Sequence, residues 1–218
     1  MEITWGGQTF FQLKTRKQSV VTDPYNKETV LLSSRTKTNV VTFSEPNTLT
    51  AQHLYQNGMK IVDSHGEYEI ADIFVTGLYL PPASNKAKSE KRNILFVIYL
   101  DHLTVCHLGL LNHVPAQNLV EDLGSIDILL IPIGGGSTLN ASKAAEVISL
   151  IEPQIVIPMY YQPSNSDANL LAETDDLETV DKFLKEMGVA TVETVNTVKI
   201  TRAQLPEETQ ILLLEPKL

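Results

Sequence analysis

Three consecutive glycines, Gly134 to Gly136, stand where the sequence could bind an anion. They follow an apolar run, and Asn140 after them is a favourable helix N-cap residue. Backbone amides exposed before a helix N-terminus bind phosphate and carboxylate groups. The stretch lacks, however, the third glycine of a dinucleotide fingerprint and the Gly-Lys-Ser/Thr ending of a P-loop. The pattern therefore favours a tight strand-to-helix turn, with an anion-binding loop as the alternative.

Residues that could act as acids, bases or nucleophiles are few. The chain contains five histidines and one cysteine. His107 closes a strand pattern, where a hydrogen-bonded structural histidine is the ordinary interpretation. Cys106 lies within the same pattern and is expected in the core rather than at a reactive site. No Gly-x-Ser-x-Gly elbow occurs, so no serine is predicted to be a nucleophile.

Composition and charge narrow the function classes. The net charge of −9 disfavours nucleic acid or an anionic membrane surface as the main partner. The single cysteine excludes an internal disulfide and fits a reducing compartment. No signal sequence opens the chain, and no apolar run reaches about 18 residues, so no membrane span is expected. These features predict a cytoplasmic protein that acts on a protein or small-molecule partner, and they leave homo-oligomerisation open.

The predicted secondary structure differs between the first and second halves of the chain. The first half predicts short strands between turns, such as Ser19 to Thr22, Gly66 to Ile70 and Asn93 to Leu100. The second half alternates strands and helices, and Ile126 to Tyr161 is predicted to be one β-α-β unit. Many strands followed by such units predict two packed sheets with helices outside. No linker interrupts the pattern, so residues 1–218 are expected to form one domain.

Later segments complete this prediction. Asp175 with Glu178 indicates the start of a helix. Val195 to Thr201 and Gln210 to Leu214 are predicted strands. Leu80 to Arg92, the most polar stretch, is predicted to be an exposed hairpin loop.

A series of short fragments occurs in a fixed order and spacing along nearly the whole chain. The fragments are Ile3-Thr4-Trp5-Gly6-Gly7-Gln8, Thr22-Asp23-Pro24, Val40-Val41-Thr42-Phe43-Ser44, Gly66-Glu67-Tyr68-Glu69-Ile70, Val75-Thr76-Gly77, His107-Leu108-Gly109, Ile131-Pro132-Ile133-Gly134-Gly135-Gly136 and Ile157-Pro158-Met159. In this order they resemble the metallo-β-lactamase fold, in particular its small bacterial branch of zinc-dependent hydrolases near the ascorbate-phosphate lactonase-like proteins. The resemblance implies an α/β fold, a four-layer αββα sandwich.

The resemblance also implies a zinc or manganese site, but the residues at the implied ligand positions differ. The family's His-x-His-x-Asp-His run falls on Glu45-Pro46-Asn47-Thr48-Leu49-Thr50. The family's bridging aspartate falls on Leu110, its last histidine on Tyr160, and its histidine near the start of the chain on Gln8. Zinc is bound by His nitrogen and carboxylate oxygen, and hydrolysis needs a metal-bound water. Leucine and threonine cannot provide this chemistry.

These replacements predict a vestigial pocket. The residues expected around it are Gln8, Asp23, Glu45, Asn47, Leu49, Thr50, Leu110, His113 and Tyr160. The favoured hypothesis is a non-catalytic pseudo-hydrolase, a binding or assembly module with no catalytic residue, no metal ligand and no cofactor. By the fold analogy, Asp23, Glu45 and His113 could instead rebuild a weaker metal site. The alternative hypothesis is therefore a metal-dependent hydrolase of small phosphorylated or ester substrates.

Overall fold

Two large β-sheets carry most of the chain. This computed structural model describes residues 1–25, 38–45, 59–80, 93–162 and 177–216. The strands of this part are β1 (Glu2–Trp5), β2 (Phe11–Lys14), β3 (Ser19–Thr22), β4 (Val40–Thr42), β5 (Lys60–Val62), β6 (Gly66–Ile70), β7 (Ile73–Leu80), β8 (Asn93–Leu100), β9 (Leu103–His107), β10 (Ile128–Pro132), β11 (Ile155–Met159), β12 (Thr194–Val195), β13 (Val198–Lys199), β14 (Gln210–Ile211) and β15 (Leu213–Leu214). The helices are α1 (Gln117–Leu123), α2 (Ala141–Ile151) and α3 (Val180–Glu186), with a 3-10 turn at Arg202–Gln204.

The strand order places many carboxyl ends at one edge of the sandwich. The six-stranded sheet has the order β13-β1-β2-β3-β4-β5, and the seven-stranded sheet has the order β14-β11-β10-β9-β8-β7-β6. In the first sheet β3, β4 and β5 are parallel, and in the second β9, β10, β11 and β14 are parallel. The loops that leave these parallel strands therefore start from the same end of each sheet.

The predicted β-α-β unit is confirmed. Strands β10 and β11 are buried at every residue, as expected for parallel strands covered on both faces. Helix α2 begins after Asn140, whose side chain accepts a hydrogen bond of 3.0 Å from the Lys143 amide. The buried residues of α2 are Ala141, Ala144, Val147, Ile148 and Ile151. One apolar stripe of the helix thus packs into the core.

Two predicted strands are each divided between different partners. The segment predicted as Val195 to Thr201 forms β12, which pairs with β15, and β13, which pairs with β1 of the six-stranded sheet. The segment predicted as Gln210 to Leu214 forms β14, paired with β11, and β15, paired with β12. Each break marks the point where the backbone exchanges one hydrogen-bonding neighbour for another.

The last helix also starts later than predicted. Helix α3 begins at Val180 with Thr179 as N-cap, rather than near Asp175. The backbone of Glu178 is engaged elsewhere, because its amide donates to the Gly134 carbonyl oxygen at 2.8 Å. Its carbonyl oxygen accepts from the Gln162 amide at 3.0 Å. These bonds keep Glu178 extended and delay the helix.

The described structure leaves several predictions untested, among them the hairpin loop, the domain organisation and the cellular location. The expected hairpin loop after Leu80 lies outside the described residues until Asn93. Within the described ranges, no helix is both long enough and apolar enough to cross a membrane. The single-domain organisation and the cytoplasmic location stay predictions.

Gly134 lies where the end of β10 passes close to the end of β11. A Cβ atom built on Gly134 would overlap the Tyr160 carbonyl oxygen. At Gly136 an added Cβ would have no heavy atom within 4 Å. Glycine is favoured there by the backbone conformation, whose φ is +61°. Close packing therefore demands glycine at 134, whereas the backbone conformation alone favours it at 136.

We expect Gly134→Ala to lower the free energy of unfolding by about 1–3 kcal/mol, because the added methyl group forces two strand ends apart. Gly136→Asn is the matched control and should cost less than about 0.5 kcal/mol, since asparagine tolerates the left-handed conformation. Urea denaturation of both variants measures the difference. Equal losses would contradict the steric explanation.

Candidate functional site

Loops at the carboxyl ends of the parallel strands converge on one edge of the sandwich. β3 leads into Asp23, β4 leads into Ser44, β9 ends at His107 and β11 leads into Tyr160. In open α/β sheets, ligand sites lie outside the carboxyl ends of the strands. This edge is therefore the candidate functional site.

His107 joins the two sheets at this edge. Its side chain is fully buried, with 0% exposure. Its Nε2 lies 2.9 Å from the Thr9 carbonyl oxygen and its Nδ1 lies 3.4 Å from Ser44 Oγ. Because a carbonyl oxygen can only accept, Nε2 carries the proton and Nδ1 accepts from the Ser44 hydroxyl. His107 is thus the hydrogen-bonded structural histidine that the sequence predicts.

Burial keeps the His107 imidazole neutral. Desolvation lowers the pKa of His107, while the Asp23 carboxylate and the Thr9 carbonyl oppose the shift without cancelling it. Asp23 Oδ2 lies 3.9 Å from His107 Nε2, so the two form an ion pair only when the imidazole is protonated. Asp23 Oδ1 instead accepts a hydrogen bond of 2.6 Å from the Ser44 amide. The carboxylate therefore holds the loop after β4 more than it holds the ring.

Ser44, His107 and Asp23 are the residue types of a hydrolytic triad, but they are not arranged as one. Ser44 is only 1% exposed, so its hydroxyl cannot reach a substrate. The N–H of His107 points at a backbone carbonyl rather than at the orienting carboxylate that a triad requires. The arrangement is a buried structural link between the two sheets.

Gln8 and Tyr160 meet across the two sheets. The Tyr160 amide donates to the Gln8 carbonyl oxygen at 3.2 Å, and the Trp5 indole N–H donates to the same oxygen at 3.0 Å. Both residues adopt left-handed backbone angles, with φ of +46° at Gln8 and +52° at Tyr160. Non-glycine residues held there are strained by about 1–3 kcal/mol each. The structure thus brings these two predicted pocket residues together in a fixed, strained arrangement.

Leu110 belongs to the same edge, through a residue that the sequence analysis missed. The Asn93 side chain accepts from the Leu110 amide at 2.9 Å and donates to the Leu108 carbonyl oxygen at 3.0 Å. A Cβ on Gly109, between them, would lie 2.6 Å from Ser44 Oγ. Asn93 and Thr9 gave no sequence signal, because one is an ordinary strand-end residue and the other acts through its backbone carbonyl.

Of the remaining predicted pocket residues, the structure describes Glu45 and His113. Glu45 directly follows Ser44, and His113 Nδ1 lies 2.7 Å from Asn112 Oδ1. Outside the described residues lie Asn47, Leu49 and Thr50. In the part of the chain that the structure describes, no group of three or more His, Cys, Asp or Glu side chains is placed to hold a metal ion. Asp23, Glu45 and His113 are accordingly not brought together as a ligand set there.

The glycine loop has the hydrogen bonds of a tight turn. The Gly135 amide donates to the Leu139 carbonyl oxygen at 2.9 Å, and the Gly135 carbonyl oxygen accepts from the Thr138 amide and hydroxyl. Ser137 to Leu139 separate the glycines from the first turn of α2, so the glycine amides are not those of the helix N-terminus. These contacts support the turn interpretation, and anion binding by Gly134, Gly135 and Gly136 stays a prediction.

The two sheets and the strand-end site together define a metallo-β-lactamase-type fold. Residues 2–160 match the family model of the beta-lactamase superfamily domain, and the chain belongs to that superfamily. A Thermotoga maritima structure, described as a candidate Zn-dependent hydrolase of the metallo-β-lactamase superfamily, superposes with a TM-score of 0.74 and 28% identity over 98% of this chain and 97% of that one. Igni18, a metallo hydrolase from Ignicoccus hospitalis, has a TM-score of 0.59 and 18% identity over 92% and 99% of the two chains, and shares the fold. The predicted fold class is confirmed.

Curated relatives point to metal chemistry. A UPF0173 protein of Pyrococcus abyssi is 26% identical over 183 residues, which span 74% of this chain and 83% of the relative. A UPF0173 metal-dependent hydrolase of Desulforamulus reducens is 41% identical over 66 residues, 30% of this chain and 29% of the relative. The names of the Desulforamulus reducens relative and of the Thermotoga maritima structure imply a metal cofactor, so the expectation that no cofactor is involved is wrong at the level of the family. That expectation rested only on the residue types at the ligand positions that the resemblance implies.

The described side chains at the strand ends do not fit the metal that the family implies. Leu110 supplies no lone pair, and the His107 nitrogens are both engaged with Thr9 and Ser44. Asp23 already accepts from the Ser44 amide. Zinc and manganese sites need several free nitrogen or oxygen ligands on one centre. The described side chains at this edge therefore form no coordination site for zinc or manganese.

We expect the free energy of unfolding to decrease as the pH falls below about 6.5, the usual pKa of an unfolded-state histidine. Because the pKa of His107 is lowered in the folded protein, the unfolded chain takes up a proton first and protonation favours unfolding. The stabilisation that neutral His107 provides is fully present above that pH, and it is lost as the pH falls toward the lowered pKa of the folded state. Urea denaturation between pH 5 and pH 8 measures it.

A pair of variants isolates this effect from other titrating groups. His107→Gln should be destabilised at every pH but should lose the part of the pH dependence that His107 causes. His65→Gln is the matched control at an exposed histidine, and it should keep the part of the pH dependence that His107 causes. The same slope in wild-type and His107→Gln proteins would contradict the assignment.

Proposed function

We propose that this protein is a non-catalytic member of the superfamily, whose strand-end edge serves as a binding or assembly site instead of a hydrolytic centre. Two features support the proposal: hydrogen bonds hold the backbone of this edge in place, and its residue types differ from the ligands that the resemblance implies. Leu110 and Tyr160 stand at strand ends where the resemblance implies an aspartate and a histidine.

The backbone of this edge is fixed by hydrogen bonds that need no metal. Asn93 holds Leu110, the Gln8 carbonyl holds Tyr160, and His107 holds the loops of the opposite sheet. A backbone held by these bonds presents a fixed surface, which supports a binding role.

The chemistry of the edge favours a partner with both apolar and polar groups. Leu110, Tyr160 and Gln8 are each partly exposed, and they offer an aliphatic surface, an aromatic ring with a hydroxyl, and an amide. Pockets of this mixed kind bind small molecules through apolar contact with a few orienting hydrogen bonds, and tyrosine is enriched at protein interfaces. The partner in this proposal is a small molecule or a protein, and neither nucleic acid nor a membrane.

The second candidate is a metal-dependent hydrolase of small phosphorylated or ester substrates. The names of the relatives favour it. It would use Asp23, Glu45 and His113, and these residues would have to move to form a ligand set. Metal-dependent turnover by the wild-type chain separates this candidate from the first.

The experiment compares three proteins with zinc and manganese supplied to each. They are the wild-type chain, Tyr160→His, and the six-fold variant Glu45→His, Asn47→His, Leu49→Asp, Thr50→His, Leu110→Asp and Tyr160→His. Hydrolysis of ester, lactone and phosphomonoester substrates and the thermal midpoint are measured. We expect no turnover above buffer by the wild-type or Tyr160→His proteins, because one added histidine completes no coordination shell.

The six-fold variant should be destabilised without metal, since its new carboxylates lack a cation. Zinc at about 100 times its dissociation constant should restore roughly 2.7 kcal/mol, which is a midpoint shift of about 5–10 °C for a protein of this size. A folded six-fold variant that takes up no zinc would show that these positions do not converge. Wild-type turnover that requires metal and is lost in Asp23→Asn would establish the hydrolase instead.

A further inference from the structure

A cleft of about 760 Å³ lies at the end of the sandwich opposite the candidate site. Strands β3 and β9 begin beside this cleft, next to Gln18 and Asp101, and end at the loops that hold His107. The cationic residues that line it are Lys14, Arg16, Lys17 and Lys199. Two carboxylates, Glu2 and Asp101, also line it. Cations thus accumulate in one cleft of a chain whose net charge is −9.

The two carboxylates of the cleft already have partners. Glu2 Oε2 lies 3.6 Å from Lys199 Nζ, and Asp101 Oδ2 lies 2.9 Å from the Met1 amino group. In the described part of the chain, the side chains of Lys14, Arg16 and Lys17 form neither an ion pair nor a hydrogen bond. The cleft therefore holds three adjacent cationic side chains that no described carboxylate neutralises.

The turn that carries these cations is pre-organised. Thr15 Oγ1 accepts hydrogen bonds from the amides of Lys17 and Gln18, at 3.2 and 2.9 Å. The Thr15 amide donates back to the Gln18 carbonyl oxygen at 2.8 Å. Gln18 Nε2 donates to the Ala71 carbonyl oxygen at 2.6 Å and so ties the turn to the other sheet. A ligand would not have to order this backbone, which lowers the entropic cost of binding.

The cationic side chains and the size of the cleft indicate which class of ligand it could bind. Arginine presents a planar fork that matches phosphate oxygens, and lysine adds a point charge. Neighbouring like charges repel one another and are best neutralised by a compound with several negative charges close together. A cleft of this volume is of small-molecule size. Among the described residues, no aromatic side chain lines the cleft, so they provide no stacking platform of the kind typical of single-stranded nucleic-acid sites.

We propose that this cleft binds a small polyanion, a compound with two or three linked phosphate groups, at a second site separate from the strand-end edge. The proposal does not depend on whether the strand-end edge is catalytic. Lys14, Arg16 and Lys17 would contact the phosphates directly. Lys199 is shared with Glu2 and would contribute less.

Isothermal titration with inorganic tripolyphosphate tests the proposal on three proteins. The test variant is Lys14→Gln, Arg16→Gln, Lys17→Gln, and the control variant is Lys60→Gln, Lys143→Gln, Lys185→Gln. Both sets change exposed residues and lower the net charge equally. We expect saturable binding by the wild-type protein, at least tenfold weaker binding by the test variant, and less than a twofold change in the control. Circular dichroism checks that each variant is folded.

Two further measurements define the ligand class and the location. Orthophosphate should bind at least tenfold more weakly than tripolyphosphate, because a single phosphate cannot reach all three cations. Tyr160→His should bind tripolyphosphate as the wild-type protein does, which distinguishes this cleft from the strand-end edge. No saturable binding by the wild-type protein, or equal weakening in the test and control variants, would overturn the proposal.

Discussion

The buried hydrogen bonds of His107 are the constraint on which the candidate site depends. An imidazole without solvent must be neutral and must have both nitrogens partnered, or its burial is costly. The partners, the Thr9 carbonyl oxygen and the Ser44 hydroxyl, come from loops of the opposite sheet. Ser44 in turn accepts from the Ile94 amide through its carbonyl oxygen, at 2.9 Å. One satisfied ring therefore fixes the separation and register of two sheet edges.

Three residues at the same edge have strained backbone conformations, and this strain bears on how the site presents its surface. Gln8, Asp23 and Tyr160 all have positive φ although none is glycine. Such conformations persist only when their surroundings determine them. Here the surroundings are a hydrogen bond between the sheets, from the Tyr160 amide to the Gln8 carbonyl oxygen, and one within the six-stranded sheet, from the Ser44 amide to Asp23. A binding site whose loops are held this firmly presents a defined surface even where its side chains differ from those that the family resemblance implies.

Sequence analysis succeeded where the physics is local. The apolar strands, the Asn140 cap and the one-sided helix of the β10-α2-β11 unit each follow from side-chain type and spacing. The exchange of strand partners after Val195 was not predictable, because period-two patterning reports which face is buried but not which neighbour bonds the backbone. The contacts of Thr9 and Asn93 were missed for a related reason. A backbone carbonyl leaves no trace in residue type, and the Asn93 contacts depend on the loop after His107.

The two ends of the sandwich are electrostatically distinct. At one end a neutral imidazole is buried among hydrogen bonds, and at the other three cations face solvent without an ion-pair partner among the described residues. Strand β9 separates them, and five residues at roughly 3.3 Å each span about 16 Å. The cleft faces solvent, and salt in that solvent screens charge bound there over about 8 Å at physiological ionic strength. Charge bound at the cleft therefore has little direct effect on the protonation of His107.

Coupling between the two ends would require movement of β3 or β9, whose central positions lie in the densely packed core. The two sites are thus expected to behave independently, because the sheets that position both of them are rigid between them.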